Sequence, residues 1–321
     1  MDAHGNPVGV APRVPLDWLQ MPAPASGRFA AMLSLARKRI LDGLLSSSDA
    51  KTAARIRSAG GEGATWLTVP PTECELGLSN REFARAVKYR LGIQQSPDRA
   101  VCQLRCVKDD SKCGKVIDAE CSHPVSCRCG QGVLRLHTGL QTILLQACKA
   151  AGCFARKEVV VPVWTRHVPA TRCRNGSMSP ARVTEAWLDV VASDGLGTDF
   201  YIDATIRNPL CQRYLEVQSP NAATETNFAT KVAQQEKQKR YPPTDGYKVT
   251  TAAAESYGRI GDELAELLTV LHGMAQQNDL RRGQPPCNWR GKWLAQIGAA
   301  IARNVAVSID EAIEVQGFSE Q

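Results

Sequence analysis

The feature that most constrains the fold is a change of apolar rhythm at His137, after which helical and strand periods succeed one another in a fixed order. The segment HTGLQTILLQACKAAG repeats Leu140, Ile143, Leu144 and Ala147 at helical spacing and closes on Gly152. EVVVPVW reads as a strand and EAWLDVV as a second. SDGLGT is a turn signal, and DFYIDATI pairs back across it as a third strand. A helix spans NFATKVAQQEKQKRY, a fourth strand YKVTTAAAE, and a further helix RIGDELAELLTVLHGMA places Ile260, Leu264, Leu267, Leu268 and Leu271 on one side. Residues 137–274 therefore read α-β-β-β-α-β-α. The hairpin strands are antiparallel, and the crossover helix makes the last strand parallel to its neighbour, giving a mixed sheet.

The expected class is mixed α/β (α+β), with helices before the sheet. Residues 1–26 are rich in Pro, Ala and Gly and read as a flexible arm. Residues 27–100 are helical. The first helix is built on Phe29, Met32, Leu33, Ala36, Ile40 and Leu44, with Arg37, Lys38 and Arg39 as a solvated face. AKTAARIRSA follows and stops at Gly60-Gly61. In LSNREFARAVKYRLG, Ser79 and Glu82 form a capping box, Phe83, Ala86, Val87 and Leu91 make the apolar stripe, and Gly92 is a C′ glycine. Residues 101–135 hold a Cys/His cluster, 136–276 the sheet domain, and 277–321 a C-terminal helical extension closed by WRGKWLAQIGAAIARNVA.

Lys and Arg number 39 against 32 Asp and Glu, a net charge of +7. That balance suits an ordinary basic soluble protein or one that holds a polyanion. The N-terminus has neither a basic start nor an apolar core, and no run approaches the roughly 20 apolar residues of a spanning helix. The expectation is a soluble, intracellular protein with no membrane association, nuclear if its source is a eukaryote. In that compartment twelve cysteines read as metal ligands and buried thiols rather than disulfides.

The stretch CGKVIDAECSHPVSCRCGQGVLRLH concentrates those thiols. His123 and Cys127 are separated by three residues, a common zinc ligand-pair spacing. The other two ligands lie upstream: Cys106 and Cys113 are the choice, with Cys102 and Cys121 as substitutes and Cys129 spare. The surroundings are Lys, Asp, Ser and Gly, poor material for an apolar core, so structural zinc is expected to supply folding energy. Buried thiols beside a solvent-facing His123 are the alternative.

The succession ARIRSAGGEGATWLTVPPTECELGLSNREFARAVKYRLGI, a Cys-Cys-His-Cys knuckle, LHTGLQTILLQACKAAG, a strand pair carrying Asp, and EKQKRY resembles the region downstream of the polymerase in non-LTR retrotransposon reverse transcriptase proteins. It covers about Ala54 to Met274. The resemblance implies a zinc knuckle followed by a restriction-like endonuclease of the PD-(D/E)XK type, with an αβββαβ core. No [FY]-x-D-D polymerase signature is present; Asp109-Asp110 follows Val107-Lys108 inside the cysteine region. The resemblance thus implies a fragment or domesticated tail.

Asp189 and Asp203 fall on the two arms of the expected hairpin, where opposed strands about 4.8 Å apart let one Mg²⁺ or Mn²⁺ bridge both carboxylates. In the resemblance they take the two acidic positions. Leu188 stands where many members have a small residue or proline, and Thr205 where the motif lysine would be. The tail family instead carries its lysine on the next helix in a K-x3-Y pattern, matched by Lys237 and Tyr241. His137 matches the histidine opening the first helix, implying a phosphate or water contact, and Glu158 is a further candidate magnesium ligand. Lys237 would stabilise charge on the phosphorane or orient water. These residues imply metal-dependent nicking of nucleic acid, with DNA the expected partner. The opposing reading pairs the aspartates with Arg182, Arg207 or Lys237 in a salt-bridged sheet without metal, leaving an inert zinc-containing binding module. Lys231, Lys237, Lys239 and Arg240 would then be a solvated helix face. The interleaved Arg281, Arg282, Trp289, Arg290, Lys292 and Trp293 read as a nucleic-acid surface or as a tryptophan anchor for the last helix. Glu255-Ser256-Tyr257-Gly258 also matches the family and reads as structural.

Overall fold

The computed structural model describes residues 25–68, 76–172, 177–244, 246–285 and 287–313. Most of the expected arm, and part of TVPPTEC, lie outside the described residues. The chain divides into two units, Met1–Ser48 and Asp49–Gln321.

In the first unit α1 (Ala25–Ser47) is the expected helix, and its stripe residues Met32, Leu33, Ile40 and Leu44 are exposed. The Ser47 and Ser48 hydroxyls donate to the Gly43 and Leu44 carbonyls, occupying acceptors that the last turn leaves open.

The second unit holds α2 (Ala50–Ala59), α3 (Asn80–Leu91), α4 (Ser122–Ser126), α5 (Gly132–Ala150), β1 (Phe154–Val160), β2 (Arg166–Val168), β3 (Thr171–Arg172), β4 (Met178–Ser179), β5 (Arg182–Thr184), β6 (Trp187–Ser193), β7 (Asp199–Arg207), α6 (Gln212–Leu215), α7 (Phe228–Arg240), β8 (Val249–Glu255), α8 (Asp262–Arg281) and α9 (Trp289–Ile313). Four strands form one sheet in the order β1-β6-β7-β8. β1–β6 and β6–β7 are antiparallel, while β7–β8, joined through α7, is parallel. This is the mixed sheet that the periodicities require.

The core is built on that sheet. Val190, Ala192, Ile202 and Ala204 pack with Leu140, Leu144 and Ala147 of α5 in one buried cluster. Leu264, Leu268 and Leu271 of α8 are fully buried in it, each side chain contributing about 1.5–3 kcal/mol. β8 carries Ala252, Ala253 and Ala254, small residues that let α7 and α8 both close on the strand.

α9 is more than an extension. It packs on α5, α3, α8, α4 and the short 3₁₀ turn Glu62–Leu67, with Ile297, Ile301, Val305 and Ile309 buried. Trp289 and Trp293 at its start are buried, and Arg290 forms a two-pronged ion pair with Glu62 at 2.7 and 2.6 Å. The interleaved basic–aromatic segment is thus the tryptophan anchor of α9, because its rings face the core.

Two further expectations are corrected. α3 has its capping box and the left-handed Gly92 (φ 69°), yet Phe83 and Leu91 of the expected stripe are 48% and 57% exposed. The buried face is Ala86 and Tyr89, because Tyr89 stacks on Tyr257 at 4.3 Å and meets the Ser256 hydroxyl at 3.0 Å. That contact makes Glu255-Ser256-Tyr257-Gly258 a buried latch. The span between β1 and β6, which reads as a polar loop, is a two-stranded ribbon: β2 pairs with β5 and β3 with β4 on one common register. The ladder breaks around Pro169 and Pro180, residues without an N–H to donate.

Candidate metal centre and carboxylate site

The cysteine segment forms its own small scaffold. Val101 bridges Val116 and Arg105 bridges Lys112, so the chain doubles back and brings Cys102 and Cys113 side by side. The Cys113 and Gly114 amides donate to the Leu104 and Cys102 carbonyls at 2.9 and 3.1 Å. The Asp118 carboxylate accepts from the Ser122 and His123 amides at 3.1 and 2.9 Å, orienting the short α4 that carries His123 and leads to Cys127.

Cys102, Cys113, His123 and Cys127 converge, with all ligand atoms within 4.8 Å of one another. Cys102 Sγ lies 3.9 Å from Cys127 Sγ, and Cys113 Sγ 3.3 Å from His123 Nε2. A tetrahedron with Zn–S bonds of about 2.3 Å has S–S edges of about 3.8 Å, so the cluster has the size and donor set to hold zinc. Burial pushes the Cys102 and Cys127 thiols up and His123 down, whereas hydrogen bonds from Lys115 and the neighbouring thiols outweigh burial at Cys113 and hold it low.

Cys106 is not in this group. It lies on the turn between Arg105 and Lys112, its amide donates to Ser111 O at 2.8 Å, and its thiol interacts with Asp109. Cys102 takes the position expected of it, because the hairpin register and not the chain spacing selects the partner of Cys113. Cys121, the other substitute, is wholly buried in the core, where Ser96 hydrogen-bonds it.

The second site lies on the sheet. The pairs Val190↔Ile202 and Val191↔Tyr201, continued by one step, set Asp189 opposite Asp203. Asp203 is 4% exposed. Its Oδ1 accepts from Lys237 Nζ at 2.7 Å, and its Oδ2 is buried without a hydrogen-bond partner. Asp189 Oδ1 lies 3.1 Å from His137 Nε2, and Oδ2 accepts from the Ala204 amide at 2.6 Å. Gln141, buried in α5, donates to the Asp189 carbonyl at 3.1 Å.

Burial raises Asp203 to about 6, Lys237 opposing and Asp189 adding to the rise. Burial also pushes Asp189 up, but the hydrogen bonds from His137 and the Ala204 amide, together with the adjoining Asp203 carboxyl, outweigh it and hold that carboxyl below the ordinary value. The Asp189 hydrogen bond raises His137, against burial. The two adjacent carboxyls have opposite shifts and one unpartnered acidic oxygen, the kind of oxygen donor a hard divalent cation takes, while the half-buried Lys237 ammonium, which cannot be a ligand, offsets their charge. Asp203 Oδ2 and Asp189 would hold the cation.

The remaining expected residues fall differently. His137 lies in the second turn of α5, since that helix starts at Gly132 and not at His137. Tyr241 is buried, donates to Trp187 O at 3.3 Å and packs on Trp164 at 5.5 Å, so it braces the sheet near the carboxylates rather than opening onto them. Glu158 sits in β1 at the register position facing Asp189, exposed and with φ at 50°. The Cys/His cluster is the one group of three or more ligand atoms within 4.8 Å among the described residues, so Glu158 is not gathered with Asp189 and Asp203. Arg207 pairs with Glu236 at 2.9 Å, leaving Lys237 as the cation on Asp203. Gln141, Ala204 and Asp118 were not expected at either site. A glutamine inside the apolar repeat of α5 was the available signal for the first, while the other two act through or upon backbone amides that no motif marks.

Among the described residues no helix is long and apolar enough to cross a membrane. A comparison with protein-family models finds no match, and no curated protein matches the chain.

Proposed function

We propose that the chain is a nucleic-acid-binding protein of retroelement descent whose sheet domain nicks DNA, in the manner of PD-(D/E)XK endonucleases, with zinc as a structural ion. The observation that supports this most directly is the convergence of Asp189, Asp203 and Lys237 from two adjacent strands and the crossover helix, with one buried carboxylate oxygen left unpartnered. A divalent cation, Mg²⁺ or Mn²⁺, when bound there would polarise the scissile phosphate and lower the pKa of the attacking water.

The chain's own groups do the rest. Ala204 N–H and His137 fix both oxygens of Asp189, and Gln141 fixes its backbone. Lys237 holds Asp203 and presents positive charge where a pentacovalent phosphorane would become more negative. His137, which meets Asp189 through Nε2, would contact the phosphate or a water beside the scissile group.

The test is nicking of supercoiled plasmid with Mg²⁺ or Mn²⁺. Wild type should convert it to open circles, and Asp189→Ala, Asp203→Asn and Lys237→Met should each slow the reaction by about two to three orders of magnitude. A wild type that never nicks overturns the catalytic reading. If that protein still binds DNA in a salt-sensitive way, the inert binding module remains. One observation favours that second reading: His137, Ala204 and Lys237 already occupy three of the four carboxylate oxygens, as a purely structural polar cluster would require.

A further inference from the structure

The ribbon between β1 and β6 has a composition unlike the rest of the chain. From Pro162 to Thr184 it holds Arg166, His167, Arg172, Arg174 and Arg182 and not one Asp or Glu. The two ladders share one register, so β2 to β5 run as one antiparallel ribbon, and Arg166, His167, Arg182, Val183 and Met178 on it are all exposed. The charged side chains described on the arm, Arg166 and Arg182, are both basic and exposed, a surface that anions stabilise. It buries little core to explain its retention, since the ribbon strands β2 to β5 carry no buried residue among those described.

Its root is anchored where its body is open. Trp164 Nε1 donates to Pro242 O at 2.7 Å, and the ring packs against Tyr201, Tyr241 and Tyr247 at 5.7, 5.5 and 6.1 Å. Arg166 donates to the Lys239 and Arg240 carbonyls, capping the end of α7. This is the end of the helix that carries Lys237, so the arm is fixed to the element that reaches the carboxylate site. Lys239 and Arg240 are exposed beside that anchor. Arg182, Lys239 and Arg240 make no ion pair among the described residues.

We propose that this ribbon is a DNA grip that enters the major groove of a duplex beside the site of cleavage, with Arg182, Lys239 and Arg240 contacting phosphates. The claim rests on the nucleic-acid part of the function proposed above, not on cleavage. The geometry selects the partner. Two strands about 4.8 Å apart, with their side chains, match a B-form major groove about 12 Å wide. Double-stranded RNA offers no such entry, because its major groove is deep and narrow.

The test measures anisotropy of a labelled DNA duplex across a potassium chloride series, with EDTA present so that nothing is cut. The triple variant Arg182→Gln/Lys239→Gln/Arg240→Gln should bind more weakly at every salt concentration. Its slope of log affinity against log salt should be less negative by about 2 to 3. A second variant, with residues 169–181 replaced by a short Gly-Gly turn but Trp164 and Arg166 kept, should weaken binding similarly while leaving the circular-dichroism melting curve intact. Unchanged affinity and slope in both variants overturns the grip, as does equal competition by an RNA duplex. Plasmid nicking separates the two claims. Wild type that binds duplex and fails to nick removes the catalytic site and leaves the grip. Wild type that nicks while both ribbon variants bind normally removes the grip alone. Wild type that binds no duplex removes both.

Discussion

Asp203 and Lys237, thirty-four positions apart, meet at 2.7 Å in a setting where the carboxylate side chain is 5% exposed and the ammonium 17%. A strand and the crossover helix that follows it share this buried contact beside the more exposed Arg207–Glu236 pair, and its removal leaves a buried charge.

Lys237→Met should therefore destabilise the fold by about 3 kcal/mol in urea titrations at about pH 8, and Asp203→Asn added to it should recover most of that loss. The pH dependence has a definite sign. Asp203 is raised from 3.8 to about 6 in the folded chain, so its contribution to stability is fully present below about pH 3.8 and lost as pH rises through about 6. Without Lys237 to offset the charge, the penalty should be larger at about pH 8 than at about pH 5. Equal costs at both pH values would show that Asp203 does not carry the charge.

Zinc content distinguishes the two candidate cysteines. Native mass spectrometry should find one zinc ion per chain, retained by Cys106→Ser and lost by Cys102→Ser. Thermal unfolding of Cys102→Ser should begin in the 101–131 segment, where few apolar side chains replace the metal's contribution. Retention of zinc by Cys102→Ser would return Cys106 to the ligand set.

Gly63 and Gly273 make opposite predictions from the same substitution. A Cβ on Gly63 would lie 1.6 Å from the Gly258 carbonyl oxygen, a backbone atom that cannot give way, so Gly63→Ala should cost about 3 kcal/mol or more. Gly273 in α8 has nothing within 4 Å of its Cβ position, and Gly273→Ala should stabilise by about 0.5–1 kcal/mol. Urea midpoints measure both, and a tolerated Gly63→Ala would show that the Glu255–Gly258 latch does not close on this turn.

Tyr241→Phe removes one hydrogen bond, to Trp187 O, and keeps the ring against Trp164. The expected cost is about 1 kcal/mol by denaturant titration. A loss several times larger would mean that the hydroxyl does more than brace β6.

Local physics made much of this fold legible. The period-3.6 stripes of α5 and α8, the Ser79–Glu82 capping box and the SDGLGT hairpin are decided by residues within a few positions of one another. A hairpin register is also local, which is why Asp189 and Asp203 could be placed face to face from the sequence. Contacts between distant segments were decided elsewhere. Phe83 and Leu91 carry the period of a buried stripe, yet Tyr89 joins Ala86 as the buried face, because its stacking partner Tyr257 arrives from the turn after β8. The sequence alone leaves Cys106 and Cys102 as rival ligands, with Cys106 the choice, but the bridges Val101↔Val116 and Arg105↔Lys112 turn Cys102 to the cluster.

The sequence by itself determined the long helices, the four strands of the main sheet, their order and the two aspartates, since each depends on short-range periodicity and turn chemistry. Tertiary structure decided which thiols converge, which oxygen of Asp203 stays unpartnered, and that an acid-free loop is a ribbon tied to α7. These depend on packing between segments tens of residues apart, where side-chain shape and register, not composition, select the neighbour.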